Sequence, residues 1–360
     1  MNNKFSQKSK HHGVICNTRI LSSIHTGVQR YTNEILERLG RDVSTISPKF
    51  CAQGIFGHAW EQFILPSHLD GKTLWSPSNS GPLNVENQVV SIMDITPLDH
   101  PEWMGKKFAS WYRFLTPRLV KKVRAIITIS EFSRDRLIHY FPAIKEKIFV
   151  TPLASDERFK RACEKDILNI IHKYKIPTRR YILVLGSLEP RKNLTNILSA
   201  WKRVVGSTSS DIHLIIAGAL GSTRVFGINS FEYANFKLPD RAHLIGYVDD
   251  NDLPALYSGA TLLVYLSLYE GFGLPPLEAM SCATPVLTSN ITSLPEVVGV
   301  GGLMANPYNV ADIAHQMHKV INNATLLEEL SEYGLLRSQR FSWEKTTKFT
   351  KEILDNAANR

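Results

Sequence analysis

Short, largely apolar runs punctuate the second half of the chain: 181–185 (YILVL), 211–217 (DIHLIIA), 243–248, 262–266 and 284–287. The first two stop at Gly186 and Gly218, as buried parallel strands do when they leave a sheet. Segments 193–204 and 252–258 lie between such runs and carry helical spacing instead. Strand and helix in alternation predict βαβ units, a parallel sheet and a doubly wound α/β domain. The first half repeats the scheme less cleanly. Residues 89–93 and 125–129 are strand candidates, and 29–39 (QRYTNEILERL) has helical periodicity after the Thr26-Gly27 pair.

A chain of 360 residues exceeds what one hydrophobic core usually serves, so two domains are expected. Residues 163–175 read as a helix followed by a hinge at Ile176-Pro177-Thr178, which places the boundary near 175. Two such domains in tandem leave a cleft between them, with ligands at the carboxyl ends of the strands. The last helix, after Ser342-Trp343, can cross back onto the first domain.

Hydrophobic residues at 43% and charged residues at 21% suit a globular protein, and neither repeats nor low-complexity tracts interrupt the pattern. Cys16, Cys51, Cys163 and Cys282 are scattered without metal-site or disulfide-framework spacing, as expected of a reducing cytoplasm. No run approaches the roughly eighteen apolar residues of a membrane span, and the polar, basic N-terminus lacks the apolar core of a signal peptide.

The net charge of +9 changes this picture. Residues 1–165 hold 24 Lys and Arg against 15 Asp and Glu, whereas the remainder holds 18 of each. Much of the excess lies in 106–124, where Lys106, Lys107, Arg113, Arg118, Lys121, Lys122 and Arg124 meet no acidic residue. Trp103, Phe108, Trp111, Tyr112, Phe114 and Leu115 are interleaved with them. Such a surface can lie on an anionic membrane, although Pro117 is expected to interrupt the helix; the alternative is a solvated helix face with core aromatics. No nucleic-acid motif accompanies the charge.

The sharpest chemical signal follows the 262–266 run: Tyr269-Glu270-Gly271-Phe272-Gly273-Leu274-Pro275-Pro276-Leu277-Glu278. The glycines let backbone approach a ligand, and the prolines suit a helix's first turn. The free amides of that turn make an anion site fit for a diphosphate. Glu270 before the turn and Glu278 one turn inside can both accept from sugar or ribose hydroxyls. A second constellation, Gly186-Ser187-Leu188-Glu189-Pro190-Arg191-Lys192-Asn193, puts two cations at a strand-to-helix junction, where they can neutralise a leaving diphosphate.

Asp250-Asn251-Asp252 has D-x-D spacing, but it precedes a helix, so Asp249, Asp250 and Asp252 are read as cap and first-turn acids and no metal is expected. His11, His12, His25, His100 and the His315/His318 pair lack metal-ligand company. No G-x-G-x-x-G follows a strand, which argues against a dinucleotide-dependent dehydrogenase.

Taken together, GSLEPRKNL, GYVDDNDLPALYSGA and YEGFGLPPLEAMSCATPVLTSNITSLPEVVG resemble the donor domain of glycosyltransferase family four, the retaining GT-B enzymes. The first domain adds Thr26-Gly27-Val28-Gln29-Arg30-Tyr31, Trp60-Glu61-Gln62, Asp94-Ile95-Thr96-Pro97-Leu98, His100-Pro101-Glu102-Trp103 and Ile129-Ser130-Glu131-Phe132-Ser133. These are similar to bacterial mannosyl- and rhamnosyltransferases of surface polysaccharide assembly.

The resemblance implies two facing Rossmann-like domains: an acceptor domain over 1–175 with helix 344–360 packed back on it, and a donor domain over 176–343. It implies a retaining, metal-independent hexosyltransferase with no cofactor beyond its nucleotide-sugar donor, GDP-linked by preference. The acceptor would be a saccharide or lipid-linked, in lipopolysaccharide, O-antigen or capsule synthesis. The setting would be the cytoplasm or the cytoplasmic face of the inner membrane. By the same resemblance, Arg191 and Lys192 bind the diphosphate, Glu278 the ribose, and Glu270 the transferred sugar beside Gly271 and the amides of Phe272, Gly273 and Leu274. Gly27 approaches the phosphates across the cleft, Tyr247 and Val248 lie against the base, and Asp94 serves the acceptor. Met93 stands where many relatives carry a histidine that contacts the donor sugar. A GT-B nucleotide-sugar 2-epimerase or a non-catalytic GT-B partner subunit are the alternatives.

Overall fold

The computed structural model describes residues 13–22, 27–49, 54–186, 189–218 and 237–359. The expectations placed on His11, His12, His25, Thr26, Cys51, Ser187 and Leu188 lie outside them.

Two six-stranded parallel sheets organise the chain. The first half supplies β1 (Val14–Asn17), α1 (Gly27–Leu39), β2 (Val43–Ile46), α2 (Gly54–Ala59), β3 (Thr73–Ser76), β4 (Gln88–Ser91), α3 (Thr96–Asp99), α4 (Lys106–Lys122), β5 (Ala125–Thr128), α5 (Glu131–Tyr140) and β6 (Ile148–Val150). Its strand order is β2-β1-β3-β4-β5-β6.

The second half supplies α6 (Glu164–Lys173), β7 (Arg180–Leu185), α7 (Leu194–Val204), β8 (Ile212–Ala217), β9 (Ala242–Gly246), α8 (Leu253–Gly259), β10 (Ala260–Tyr265), α9 (Leu274–Ser281), β11 (Val286–Ser289), α10 (Leu294–Val298), β12 (Leu303–Ala305), α11 (Val310–Ile321) and α12 (Ala324–Ser338). Its order is β12-β11-β10-β7-β8-β9, and α13 (Trp343–Ala358) closes the chain. This is the α/β, two-Rossmann arrangement expected of GT-B.

The central strands read as unbroken apolar runs because helices cover both of their faces. In register, Leu183 stands between Ile215 of β8 and Leu263 of β10, and all three side chains are fully buried. The apolar cluster that contains them continues into the first domain through Trp75, Ile127 and Tyr31.

Three expectations need correction. Pro117 does not interrupt α4, which runs through it from Lys106 to Lys122. Proline lacks only the amide that would serve the Arg113 carbonyl, and buried Leu115, Thr116, Leu119 and Val120 hold the turns on either side. Second, α6 travels with the second sheet although it precedes residue 175. It packs on α8, the Ser258 hydroxyl accepts from the Ala162 amide at 2.9 Å, and Lys173 bonds Asp252 at 2.6 Å. Third, the Asp252 side chain does not cap α8, because Lys173 and the Tyr174 hydroxyl occupy it.

The final helix crosses to the first sheet. Trp343, Ile353 and Leu354 are buried, α13 packs on α1 and against β1, β3, β4 and β5, and Glu344 accepts from Arg38 Nε at 3.1 Å. Among the described residues, no helix is long and apolar enough to cross a membrane.

Candidate active site

A cleft of about 3270 Å³ runs between the two sheets. It is lined by Gly27, Arg30, Asp94, Arg191, Lys192, Tyr247, Glu270, Gly271, Phe272, Gly273, Leu274 and Glu278, so the structure gathers these candidates in one place. Val248 is not among the lining residues; its side chain is buried in the core, leaving exposed Tyr247 at the cleft edge.

The donor-side floor is a four-charge cluster at the carboxyl ends of β7 and β10. After β7 a single turn, Pro190–Lys192, is stopped by Asn193 at φ +60°, whose amide group donates to the Leu266 and Pro307 carbonyls at 3.0 and 2.8 Å. That anchor turns Arg191 and Lys192 back toward β10. Arg191 donates through Nε to Glu189 at 2.8 Å and through Nη1 to Glu270 at 3.0 Å. Lys192 Nζ donates to Glu270 Oε1 at 2.7 Å and also bonds Tyr265, whose hydroxyl donates to the same Oε1 at 2.9 Å.

Two buried carboxylates thus face two partly buried cations, and the charges balance. Burial alone would raise Glu270, but Lys192 and Arg191 overcome it and hold the carboxyl at about 2. Burial and the neighbouring Arg191 push Lys192 below the usual lysine range, against the pull of Glu270 and Glu189. Glu189 and Tyr265 escaped the sequence reading as site residues. Glu189 lies within GSLEPRKN beside two more conspicuous cations, and Tyr265 reads as one more apolar strand position.

The loop from β10 to α9 is shaped by contacts that exclude side chains. Gly273 has φ +114°, and a Cβ there would stand 2.7 Å from Leu294 Cδ2. A Cβ on Gly271 would stand 2.7 Å from the Met93 carbonyl oxygen and 3.1 Å from Asp94 Cβ, so that glycine lets the two domains meet. Ser293 pins the loop by donating to the Glu270 and Phe272 carbonyls at 2.9 and 2.7 Å. Across the cleft, the first residue of α1 faces the first residue of α9: a Cβ on Gly27 would touch Leu274 Cδ1 at 3.7 Å. Two helix N-termini therefore converge, each turning its positive dipole end to the cleft.

Glu278, one turn inside α9, is buried and already engaged. Arg30 of α1 pairs with its Oε1, and Tyr257 donates to its Oε2 at 3.0 Å. Arg30 also reaches Asp250 at 3.1 Å, and Arg158 stands 3.7 Å from the same carboxylate. Burial lifts the Glu278 carboxyl above its ordinary range, partly offset by Arg30 and Tyr257. A role for Arg30 was not legible from its place in the TGVQRY motif, because its partners lie 220 and 248 positions away.

On the acceptor side, Met93 is buried and contributes its backbone. Its amide donates to Asn79 Oδ1 at 2.6 Å and its carbonyl accepts from Ser133 Oγ at 3.0 Å. Asp94 lines the cleft, but its Oδ1 accepts from the Thr96 amide and hydroxyl at 2.9 and 2.7 Å, tying it to the start of α3. The α5 amides of Glu131 and Phe132 donate across the domain boundary to Glu296 at 2.9 and 3.1 Å.

Residues 166–337 match the family model described as glycosyl transferases group 1. The chain is 34% identical over 272 residues to the O-antigen chain mannosyltransferase B of Escherichia coli, covering 74% of this chain and 69% of that protein. It is 32% identical over 287 residues to the serotype-specific mannosyltransferase WbdA of Escherichia coli, covering 78% of this chain but only 34% of that protein. Among solved structures, Anabaena HepE in complex with UDP and glucose superposes with a TM-score of 0.73 at 17% identity, over 95% of this chain and 99% of that one. The named relatives are transferases, which favours the transferase reading over the isomerase alternative. The cleft, its charged floor and these relatives together place the chain in the glycosyl transferases group 1 family, as a glycosyltransferase of GT-B architecture.

Proposed function

We propose that this glycosyltransferase moves mannose, in preference to rhamnose, from a GDP-sugar to a saccharide or lipid-linked acceptor, with retention and without a metal, in O-antigen synthesis. The observation that carries the reading is the Arg191–Lys192–Glu270–Glu189 cluster facing two convergent helix N-termini. A diphosphate set between them meets the positive ends of two helices on one side and the partly buried Arg191 and Lys192 on the other.

As the bond between the sugar's anomeric carbon and the phosphate oxygen breaks, Arg191 and Lys192 take up the charge that develops on the leaving diphosphate. The acceptor hydroxyl attacks from the same face, and its proton passes to the departing phosphate oxygen. Glu270 accepts from hydroxyls of the transferred sugar and Glu278 from the ribose, with Tyr247 against the base. Catalysis then rests on placement and preorganised charge rather than on a carboxylate nucleophile. The D-x-D acids support a metal-free reaction, since Asp250 is held by Arg30 and Asp252 by Lys173 and Tyr174.

Membrane contact at the cytoplasmic face of the inner membrane belongs to the same reading. Lys106, Lys107, Arg113, Arg118, Lys121 and Lys122 are exposed along α4, and Ile55, Phe56 and Phe63 are exposed on the neighbouring segment. The mannosyl and O-antigen assignments draw on the names of the relatives.

The test is a thermal-shift titration with GDP and UDP, followed by GDP-mannose and a mannosyl acceptor in EDTA, with product stereochemistry read by NMR. Stabilisation by GDP and an α-linked product are expected. A β-linked product, or EDTA abolishing turnover, overturns the mechanism; stabilisation by UDP alone overturns the donor.

A further inference from the structure

The motif His100-Pro101-Glu102-Trp103 does not line the cleft, yet it touches the loop that does. His100 stacks on Trp103 at 3.9 Å, and its Nδ1 lies 3.0 Å from Glu102. The ring so held meets Tyr269 edge-on at 5.4 Å, and Phe132 of α5 also meets Tyr269 edge-on at 5.3 Å. Tyr269 follows β10 in the second domain and directly precedes Glu270, but its side chain is buried against first-domain rings.

Packing alone would be served by phenylalanine. The Tyr269 hydroxyl instead donates to Oδ2 of Asp99, the last residue of α3, at 2.8 Å. Arg136 of α5 donates through Nε to the same Oδ2 at 2.9 Å and through Nη2 to Oδ1. The Asp99 side chain is 4% exposed. Burial alone would raise its carboxyl, but Arg136 and Tyr269 outweigh that and hold it below the ordinary range, so the charge persists. A buried ion pair is weak evidence of stability, because desolvation takes back much of its attraction. What it supplies is direction, since a charge-assisted hydrogen bond is strong and weakens steeply as its angle departs from linear.

The main chain of Tyr269 reaches the donor floor. Its carbonyl accepts from Arg191 Nη1 at 3.4 Å, and the same Nη1 donates to Glu270 Oε1 at 3.0 Å. One residue earlier, the Leu268 amide donates to the Arg191 carbonyl at 2.7 Å. A turn of the backbone at Tyr269 therefore moves both Glu270 and a group that Arg191 leans on. Ser133 of α5 reaches the same loop, its Oγ lying 3.4 Å from the Gly271 carbonyl. These first-domain contacts last only while the two domains face each other, and relative motion is the default for paired domains.

We infer that Asp99 and Arg136 are positioning residues for sugar transfer: through Tyr269 they set, from the first domain, the loop that carries Glu270 and the carbonyl that Arg191 bonds. The inference rests on the transferase reading above. Neither residue touches a substrate. The donor floor keeps its cations without this latch, so a nucleoside diphosphate still binds; the placement needed as the glycosidic bond breaks is complete only with the latch made.

The test compares the full wild-type chain with Tyr269→Phe, Arg136→Ala and the double variant. Tyr269→Phe keeps the ring beside His100 and Phe132 and removes only the hydroxyl. Amide hydrogen exchange over residues 268–273 reads the loop, with strand β8 as internal reference. Steady-state transfer from GDP-mannose to octyl α-D-mannopyranoside separates kcat from KM. Each single variant is expected to speed exchange in the loop by about threefold or more while β8 is unchanged. Each should lower kcat by roughly tenfold or more, with KM for GDP-mannose within about threefold. The double variant should be no slower than the slower single one, because both break the same chain of contacts. Unchanged loop exchange in both single variants, wild-type kcat in both, or fully additive losses in the double variant overturns the inference. Should Arg136→Ala also speed exchange in β8, Tyr269→Phe decides alone. Absence of mannose transfer in the wild type strikes the donor reading instead, and loop exchange then still decides this one.

Discussion

Replacing Glu270 by Gln should tighten binding of the nucleoside diphosphate while slowing sugar transfer. Lys192 Nζ lies 2.7 Å from Glu270 Oε1, with Arg191 Nη1 at 3.0 Å on the same oxygen. A phosphate oxygen bonded to that lysine at about 2.8 Å comes within roughly 5 Å of the carboxylate. For two unit negative charges at that separation and an effective dielectric near 20, the repulsion is about 3 kcal/mol. Allowing half of it for relaxation of the cluster leaves about 1.4 kcal/mol, or tenfold in affinity. One effect opposes the gain. Lys192 is already held low by burial and Arg191, and loss of Glu270 removes a charge that raises it. The gain should therefore be larger at lower pH and shrink as pH rises and Lys192 gives up its proton. Calorimetric titration of GDP at pH 6 and pH 8, with turnover measured in parallel, checks both. GDP affinity in Glu270→Gln equal to or below wild type at pH 6 would refute the claim that Glu270 and the diphosphate compete for the same two cations.

Other expectations follow from neighbouring contacts. Glu270 is depressed to about 2 when folded, so its stabilisation is present above about pH 4.5 and lost as pH falls through 2; the Gln variant should flatten the stability profile across that window. Arg30→Ala strips the cation from a Glu278 side chain that is 4% exposed, and the cost should be about 2–3 kcal/mol, below the full buried-pair value because Arg30 itself is 19% exposed. Since burial already raises Glu278, its ionised form is the costly one; the Arg30→Ala deficit in melting temperature should shrink as pH falls from 7 to 5, and a second Glu278→Gln change should recover most of it. Gly271→Ala would press a methyl to 2.7 Å from the Met93 oxygen, so transfer should fall by roughly tenfold or more with unchanged circular dichroism; wild-type turnover would show that the domains need not meet there. Glu296→Ala leaves the α5 amides of Glu131 and Phe132 uncapped and should cost about 1 kcal/mol in thermal unfolding; an unchanged melting temperature would deny the cross-domain cap.

The parallel sheets, the helix entries at Gly27 and Leu274 and three of the four charges of the cluster are readable from the sequence for one reason. A strand buried on both faces must be apolar throughout, and a helix N-terminus announces itself through glycine and proline within a few positions. Arg191, Lys192, Glu270 and Glu278 stood beside those local signals. The pairings did not. That Glu189 and Glu270 balance the two cations, that Arg30 enters the second domain to hold Glu278, and that Glu296 caps a first-domain helix depend on which strands lie side by side and how the sheets face one another. Local propensity likewise misjudged Pro117 and Asp252, because packing under α4 and the Lys173–Tyr174 pair outweighed the loss of one amide and the pull of one cap. Hydrophobic periodicity acts over neighbouring turns and is written in the sequence; charge compensation acts over a few ångströms in space, and only the tertiary structure decides which residues come that near.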